Sequence, residues 1–290
     1  MRPFTPLSLL FSLRLAGLMG AVVCLLVGCQ AAEKRLVASN HRDWSPDQSV
    51  LATAQIEGDQ LLVRNVRNCK TFAPGEYVLD HEDRRYDLSR LRAVDFVTMP
   101  FGPVPALAHT MLSFEFAGAS PTDPPEHLAV SVEVRKEKGE EKFNPLLGMA
   151  KQYEIMYVVA DERDLLYRQA VINDGPTYVY RTTAAPESAR KLLVDMLDRA
   201  NTLAEEPEFY DLLTNNCTTN IARHINRITP NRITYDVNVL LPGYSDRKAY
   251  AEGLLAGEGT LDELKARALI NTRARVAVAE KADFSEVIRR

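Results

Sequence analysis

The chain has 290 residues, 46% of them hydrophobic, with 35 Lys and Arg against 39 Asp and Glu and a formal net charge of −4. That length holds one full domain with a real core, or two small ones. The mild acidity argues against nucleic-acid binding, which needs a basic face.

The first thirty residues read as an export signal. Arg2 opens the chain, and residues Leu7 to Val27 run almost wholly apolar, broken only by Arg14 and a few small polar residues. So short an apolar run, followed at once by a small-residue cut site, is predicted to be removed rather than kept as a membrane span. The cut-site sequence Leu26-Val27-Gly28-Cys29 resembles the lipobox of bacterial lipoproteins. That resemblance implies cleavage before Cys29 and a diacylglyceryl group on its thiol, two chains being enough for stable anchoring. Gln30 in place of Asp implies a periplasm-facing lipoprotein of the outer membrane in a Gram-negative cell. The segments expected here are a signal peptide over 1–28 and a lipidated tether over 29–43. Losing Arg2 and Arg14 lowers Lys and Arg from 35 to 33 against 39 acids.

The cysteine count does not yield a disulfide framework. Cys24 leaves with the signal and Cys29 is lipidated, so only Cys69 and Cys217 remain. A Cys69–Cys217 disulfide is one expectation. A reactive thiol at Cys217 is the other.

The folded part is expected to begin at Trp44. Ala52–Ile56 and Gln60–Val66 read as strands joined by a Glu57-Gly58-Asp59 turn. Residues 70–90 read as a turn-rich, aromatic connection, and Arg92–Met99 alternates again. His109–Phe116 and His127–Arg135 form the most informative pair. Thr110, Leu112, Phe114 and Phe116 face one way, with His109, Met111, Ser113 and Glu115 on the other. Likewise Leu128, Val130, Val132 and Val134 oppose Ala129, Ser131, Glu133 and Arg135. Matching the two apolar rows in an antiparallel hairpin puts His109 opposite Glu133 or Arg135. Tyr153–Ala160 and Tyr178–Thr182 are further strands. Pro186–Leu203 is a helix with Ala189, Leu192, Leu193, Met196, Leu197 and Ala200 on one stripe. Residues 246–290 read as a charged, helical C-terminal tail with no apolar run long enough to cross a membrane.

The run Asn215-Asn216-Cys217-Thr218-Thr219 breaks from turn into helix, with Asn215 or Asn216 as the N-cap and Ile221, Ile225 and Ile228 behind it. Cys217 then sits in the first helical turn, where free N–H groups and the helix dipole favour a thiolate. Such a thiolate is a competent nucleophile, and the same N–H groups suit an oxyanion. A base is still needed. His41 lies near the tether, His81 in a loop, His127 at the far end of the hairpin, and His224 about 10 Å along the helix axis. Elimination leaves His109, with Glu133 beside it. A satisfied structural histidine and a buried inert cysteine form the bland alternative. The histidines and cysteines show no metal-ligand spacing and there is no Gly-rich phosphate loop, so no metal or other cofactor is expected.

A histidine on a strand, followed much later by a cysteine opening a helix, is similar to the permuted NlpC-type papain-like enzymes. More specifically, the stretch from Trp44 to about Asn220 resembles the Lnb N-terminal periplasmic domain family. Asn65-Val66-Arg67, Tyr86-Asp87-Leu88, Ala108-His109-Thr110 with Ser113-Phe114, and Ser131-Val132-Glu133-Val134-Arg135 carry the likeness. It continues through Tyr153-Glu154, Asp161-Glu162-Arg163-Asp164-Leu165, Pro207-Glu208-Phe209-Tyr210 and Asn215-Asn216-Cys217-Thr218-Thr219. The resemblance implies an α+β, permuted papain-like thiol domain over 44–245, with a central antiparallel sheet and the nucleophile at a helix N-terminus. It implies a Cys-His acyltransferase that takes an acyl chain from phospholipid through a thioester on Cys217 and passes it to an amine, as of a lipoprotein. His109 would move the proton, and Glu133 or Ser131 would orient it. Asn216, Ser131 and Arg135 are the expected substrate or oxyanion contacts, and Arg163 is a further phosphate candidate or brace. Acyltransferases of this kind carry membrane helices after the domain; here lipidated Cys29 would bring the site to lipid. Two other readings stand beside this one: a cell-wall amide hydrolase, and a scaffold lipoprotein whose Cys217 is structural.

Overall fold

The computed structural model describes residues 37–120, 122–140, 143–144, 148 and 151–290. The expected signal peptide and Cys29 lie outside the described residues. The chain divides into two units, Met1–Ser39 and Asn40–Arg290, and the second carries the fold. It starts before Trp44. The Asn40 amide donates to Leu203 O and Ala204 O, both at 2.9 Å, and Arg42 pairs with buried Glu154 at 2.7 Å. These contacts fix residues that the sequence assigned to a tether.

β1 (Thr53–Glu57) and β2 (Gln60–Arg67) form the predicted hairpin. Gly58, at φ +63°, supplies the left-handed step of its two-residue loop. β2 then bulges between Val63 and Val66, with Asn65 at φ 59°. The extra residue resets the alternation, so that both Val66 and Arg67 are buried. Residues 70–90 are not the connection expected. They hold β3 (Lys70–Ala73), β4 (Glu76–Val78) and β5 (His81–Asp87). β5 is mostly charged and buries only Tyr86, so its pairing with β2 rests on backbone bonds that leave no apolar alternation to read.

β6 (Leu91–Pro100), β7 (Ala108–Phe116), β8 (Glu126–Arg135), β9 (Glu154–Asp161) and β10 (Tyr178–Arg181) complete the sheet in the order β1-β2-β9-β8-β7-β6-β10, with β5 also on β2. The sheet is mixed, which corrects the expectation of an antiparallel one. β2 and β9 meet in parallel at Arg67 and Ala160, and the long excursion through β3–β8 supplies the crossover such a pair requires. The β7–β8 hairpin has the predicted parity: Leu112 faces Val130, Phe114 faces Leu128, and Met111 faces Ser131.

Helices cover both faces of the sheet. α1 (Glu162–Tyr167) runs into a π-turn at Arg168–Ile172, and α2 (Pro186–Glu205) starts on the proline that suits a first helical position. α3 (Cys217–Ile228), α4 (Val237–Leu240), α5 (Ser245–Ala251), α6 (Leu261–Ala268), α7 (Asn271–Glu280) and α8 (Phe284–Val287) follow. One core packs Leu112, Phe114, Val130 and Tyr157 against Leu193 and Met196 of α2 and Ile221 of α3. The other packs Met111, Ala129 and Met156 against Leu166, Ile270, Ala274 and Phe284. Residues 246–290, read as a charged tail, are thus largely helical and part of the fold: Ala249, Leu255, Leu264 and Ala268 join the first core, and residues 270–288 close the second face. Arg289 anchors them, pairing with Asp95 at 2.8 Å and Glu162 at 2.6 Å. Among the described residues no helix is long and apolar enough to cross a membrane.

Candidate active site

α3 begins at Cys217 because Asn216 caps it. The Asn216 side chain accepts from the Thr219 N–H at 2.8 Å, and Thr219 Oγ1 accepts in return from the Asn216 N–H at 2.9 Å. The same amide donates to Leu212 O at 2.7 Å and Leu240 O at 3.1 Å. Asn216 is therefore fully committed to holding the helix end, which removes its side chain from the expected oxyanion contacts. Thr219 and Asn220 send their N–H groups to Asn216. Cys217 and Thr218 carry the remaining donors of the first turn.

His109 enters from β7, one residue after the strand begins. Thr110, on the opposite face, shares a 3.1 Å hydrogen bond with Thr218 and so ties the start of α3 to the start of β7. This brings the half-buried imidazole of His109 to the buried thiol of Cys217, 4% exposed. Burial alone would push the thiol up. The hydrogen bond and charge of His109, joined by hydrogen bonds from the Thr110 side chain and backbone, outweigh it and hold Cys217 below its ordinary value. Burial would likewise lower the imidazole, but the bond and charge of Cys217, then the charge of Glu133, hold it above the usual histidine range. Both shifts favour a thiolate facing an imidazolium.

The second ring nitrogen is also engaged. His109 Nε2 lies 2.6 Å from Ser131 Oγ, on the fully buried hydroxyl of the neighbouring strand. Nδ1 is then the nitrogen left to exchange a proton with Cys217. Continuing the β7–β8 register by two residues sets Glu133, not Arg135, across from His109. Even so, the Glu133 carboxylate accepts from Gln48 Nε2 at 3.3 Å and reaches the imidazole through charge alone. Ser131, the second choice for orienting His109, makes the contact.

Arg135 stands away from this chemistry. Its guanidinium donates to Gln48 O, Asn40 Oδ1 and Ser49 O at 2.8–2.9 Å and lies 4.3 Å over the Trp44 ring. It braces residues 40–49, which corrects its assignment as a substrate contact. Arg163 is exposed and stacks on Tyr167. The remaining histidines are spoken for or displaced. His224 is bonded to Asp195 at 2.5 Å and Tyr157 at 2.6 Å, and His127 lies across from Glu115 at the far end of the hairpin. Cys69 and Cys217 are both free and buried, so the expected disulfide is not formed.

A cavity of about 290 Å³ opens over His109 and Cys217. Met99, Met111 and Val132 line one part of it, Arg67 and Arg168 another. Sequence reasoning missed Thr110 as a partner of Cys217, although it is the one polar residue in an otherwise apolar row and so carried a signal. It also missed Arg168 and Gln169, which reach this cavity from the π-turn, and no pattern in the sequence marks them.

The Lnb N-terminal periplasmic domain family matches residues 77–244, more than half of the chain, a stretch that includes His109, Ser131, Glu133 and Cys217. No curated protein and no solved structure matches. With the family match spanning the strands and the helix that build this site, the chain belongs to the Lnb N-terminal periplasmic domain family.

Proposed function

We propose that the protein is a membrane-tethered Cys-His acyltransferase of the permuted papain-like class, held to the outer membrane through lipid on Cys29 and facing the periplasm. The observation that carries this reading is the pairing of a low thiol with a high imidazole, with Ser131 on the far ring nitrogen. In the first half-reaction Cys217 Sγ attacks the ester carbonyl of a phospholipid. The N–H groups of the first turn of α3 receive the oxyanion. As the tetrahedral species collapses the C–O bond breaks, and His109 Nδ1 gives its proton to the departing alkoxide. In the second, an amine attacks the thioester, the C–S bond breaks, the amine proton returns to His109, and the thiolate is restored.

A second cavity supports an acyl substrate. It holds about 400 Å³ and is lined mostly by apolar side chains, among them Phe96, Leu112, Leu192, Ile221 and Ile225. Thr218 also lines it, so it adjoins the residue next to Cys217. The second reading is an amide hydrolase, with a peptide held against the charged part of the cavity over Cys217. No partner other than the membrane, phospholipid and an acceptor amine is invoked.

Mass spectrometry of the protein after incubation with phospholipid separates these readings. An acyl adduct on Cys217 that is lost in His109→Ala is expected. An unmodified Cys217 in protein that cleaves peptidoglycan amides refutes acyl transfer.

A further inference from the structure

The helix α1 does not end where its hydrogen-bonding pattern changes. It widens into the π-turn, closed by a 2.9 Å bond from the Asn173 N–H to Arg168 O. Such turns are rare and concentrate at functional sites. Here the first two residues of the turn, Arg168 and Gln169, line the cavity shared by His109 and Cys217.

The Arg168 guanidinium is held on three sides. Nη1 donates to Asp47 Oδ2 at 2.9 Å, Nε to Thr71 Oγ1 at 3.3 Å, and the group lies 5.1 Å over the Tyr77 ring. Its third nitrogen, Nη2, is buried and has no hydrogen-bond partner among the described residues. Of the buried polar atoms in that condition, it is the one whose residue lines this cavity. A guanidinium N–H kept out of water and given no acceptor is costly unless something supplies one. Arg67 lines the same cavity, 3% exposed, but all three of its nitrogens are engaged, two with Asp164 at 3.0 and 3.3 Å and one with Asp47 O at 3.1 Å. Arg168 is ion-paired as well, with Asp47 through Nη1, and differs in keeping Nη2 for a further acceptor.

We propose that Arg168 Nη2 is the docking point for the phosphodiester of a lipid whose apolar part lies toward Met99, Met111 and Val132. Guanidinium is suited to phosphate oxygens, and an apolar wall next to a fixed cation fits an amphiphile with an anionic head. Gln169 adds an amide to the same rim. Arg168 is a specificity residue here, since it positions substrate and takes no part in proton transfer. The inference rests on the acyl-transfer reading for the identity of the lipid, and its test is independent of the chemistry.

The full chain carrying Cys217→Ala is titrated calorimetrically with dihexanoylphosphatidylglycerol, with dihexanoylglycerol, which lacks the phosphate, and with N-acetyl-alanyl-alanine, which offers a carboxylate. Arg168→Met is expected to weaken the phospholipid about 10- to 150-fold, the range for a hydrogen bond to a charged group, and to leave the diacylglycerol within about twofold. Arg168→Lys, which keeps the charge and loses the fork, is expected to fall between. Equal losses for the two lipids in both variants, or no loss for either, overturn the proposal. Arg168-dependent binding of the dipeptide alone overturns it too, in favour of a peptide carboxylate. Failure of Cys217 to acquire an acyl group, with these affinities as expected, overturns the reaction and leaves the docking point standing.

Discussion

Ser131→Ala isolates the least expected part of the site. The variant removes one hydroxyl from a fully buried position and leaves the His109 Nε2–H, now 2.6 Å from an absent oxygen, without an acceptor. In the imidazolium form that N–H is a charged donor, and a hydrogen bond from a charged group contributes about 1.5–3 kcal/mol. At roughly 1.36 kcal/mol per tenfold, the thiolate–imidazolium pair loses about 10- to 150-fold in population. The assay is the second-order rate of Cys217 alkylation by iodoacetamide between pH 5 and 9, with the thermal midpoint as a check on folding. The rate near neutral pH is expected to fall by that factor, and its rise to move to higher pH because the ring no longer holds its proton as firmly. Glu133→Gln provides the contrast. Its carboxylate is only half-buried and acts through charge, so a loss of a few-fold is expected. Unchanged alkylation in Ser131→Ala, or a larger loss in Glu133→Gln, refutes the assignment of Ser131 as the group that orients His109.

Two further outcomes test the frame around the site. Burial, opposed by the bond to Asp195, holds His224 at about 4, below the roughly 6.5 of an unfolded chain. Between those values the unfolded state binds more protons, so stability falls as the pH falls through that window. Urea midpoints measured from pH 7 to 4 should show a steeper decline in the wild type than in His224→Gln, and parallel declines would be contrary. Separately, Arg289→Met strips the cation from fully buried Glu162, which Arg289 offsets against burial to hold at about 2, and from Asp95. Removing one partner of a buried pair costs about 3–5 kcal/mol. A loss under about 1 kcal/mol by urea denaturation would mean that residues 281–290 are not anchored as described.

Sequence patterns resolved the site where strand parity carried the information. The apolar rows of β7 and β8 selected both the hairpin and the face of His109, and one side of the Glu133 or Arg135 choice is the observed register. The cap at Asn216 was readable from residue types in the same way. What escaped was decided by contacts that leave no periodic trace. β5 pairs through its backbone while its side chains stay charged. Ile270, Ala274 and Phe284 are spaced too widely among charges to announce a buried face, yet they close the second core. The role of Arg135 turned on residues 40–49 folding back over β8, and that of Arg168 on a backbone irregularity within a helix.

The bulge in β2 ties the cavity to the length of a strand as well as to its composition. Upstream of Asn65 the inward residue is Val63; downstream, the count has shifted by one and Arg67 is inside, pairing with Asp164 and lining the cavity. The bulge absorbs one residue, so Val66 stays opposite Glu82 and Arg67 opposite His81. Deleting Asn65 would restore regular pairing with β5 and leave Arg67 on its present face, whereas straightening the strand with Asn65 kept in register would move Arg67 to the face of Val63 and leave the Asp164 carboxylate alone in the interior. Across descendants of this chain a one-residue gap at position 65 should therefore be tolerated better than a one-residue insertion between Val66 and Arg67, which keeps every functional side chain in the gene and turns the arginine away.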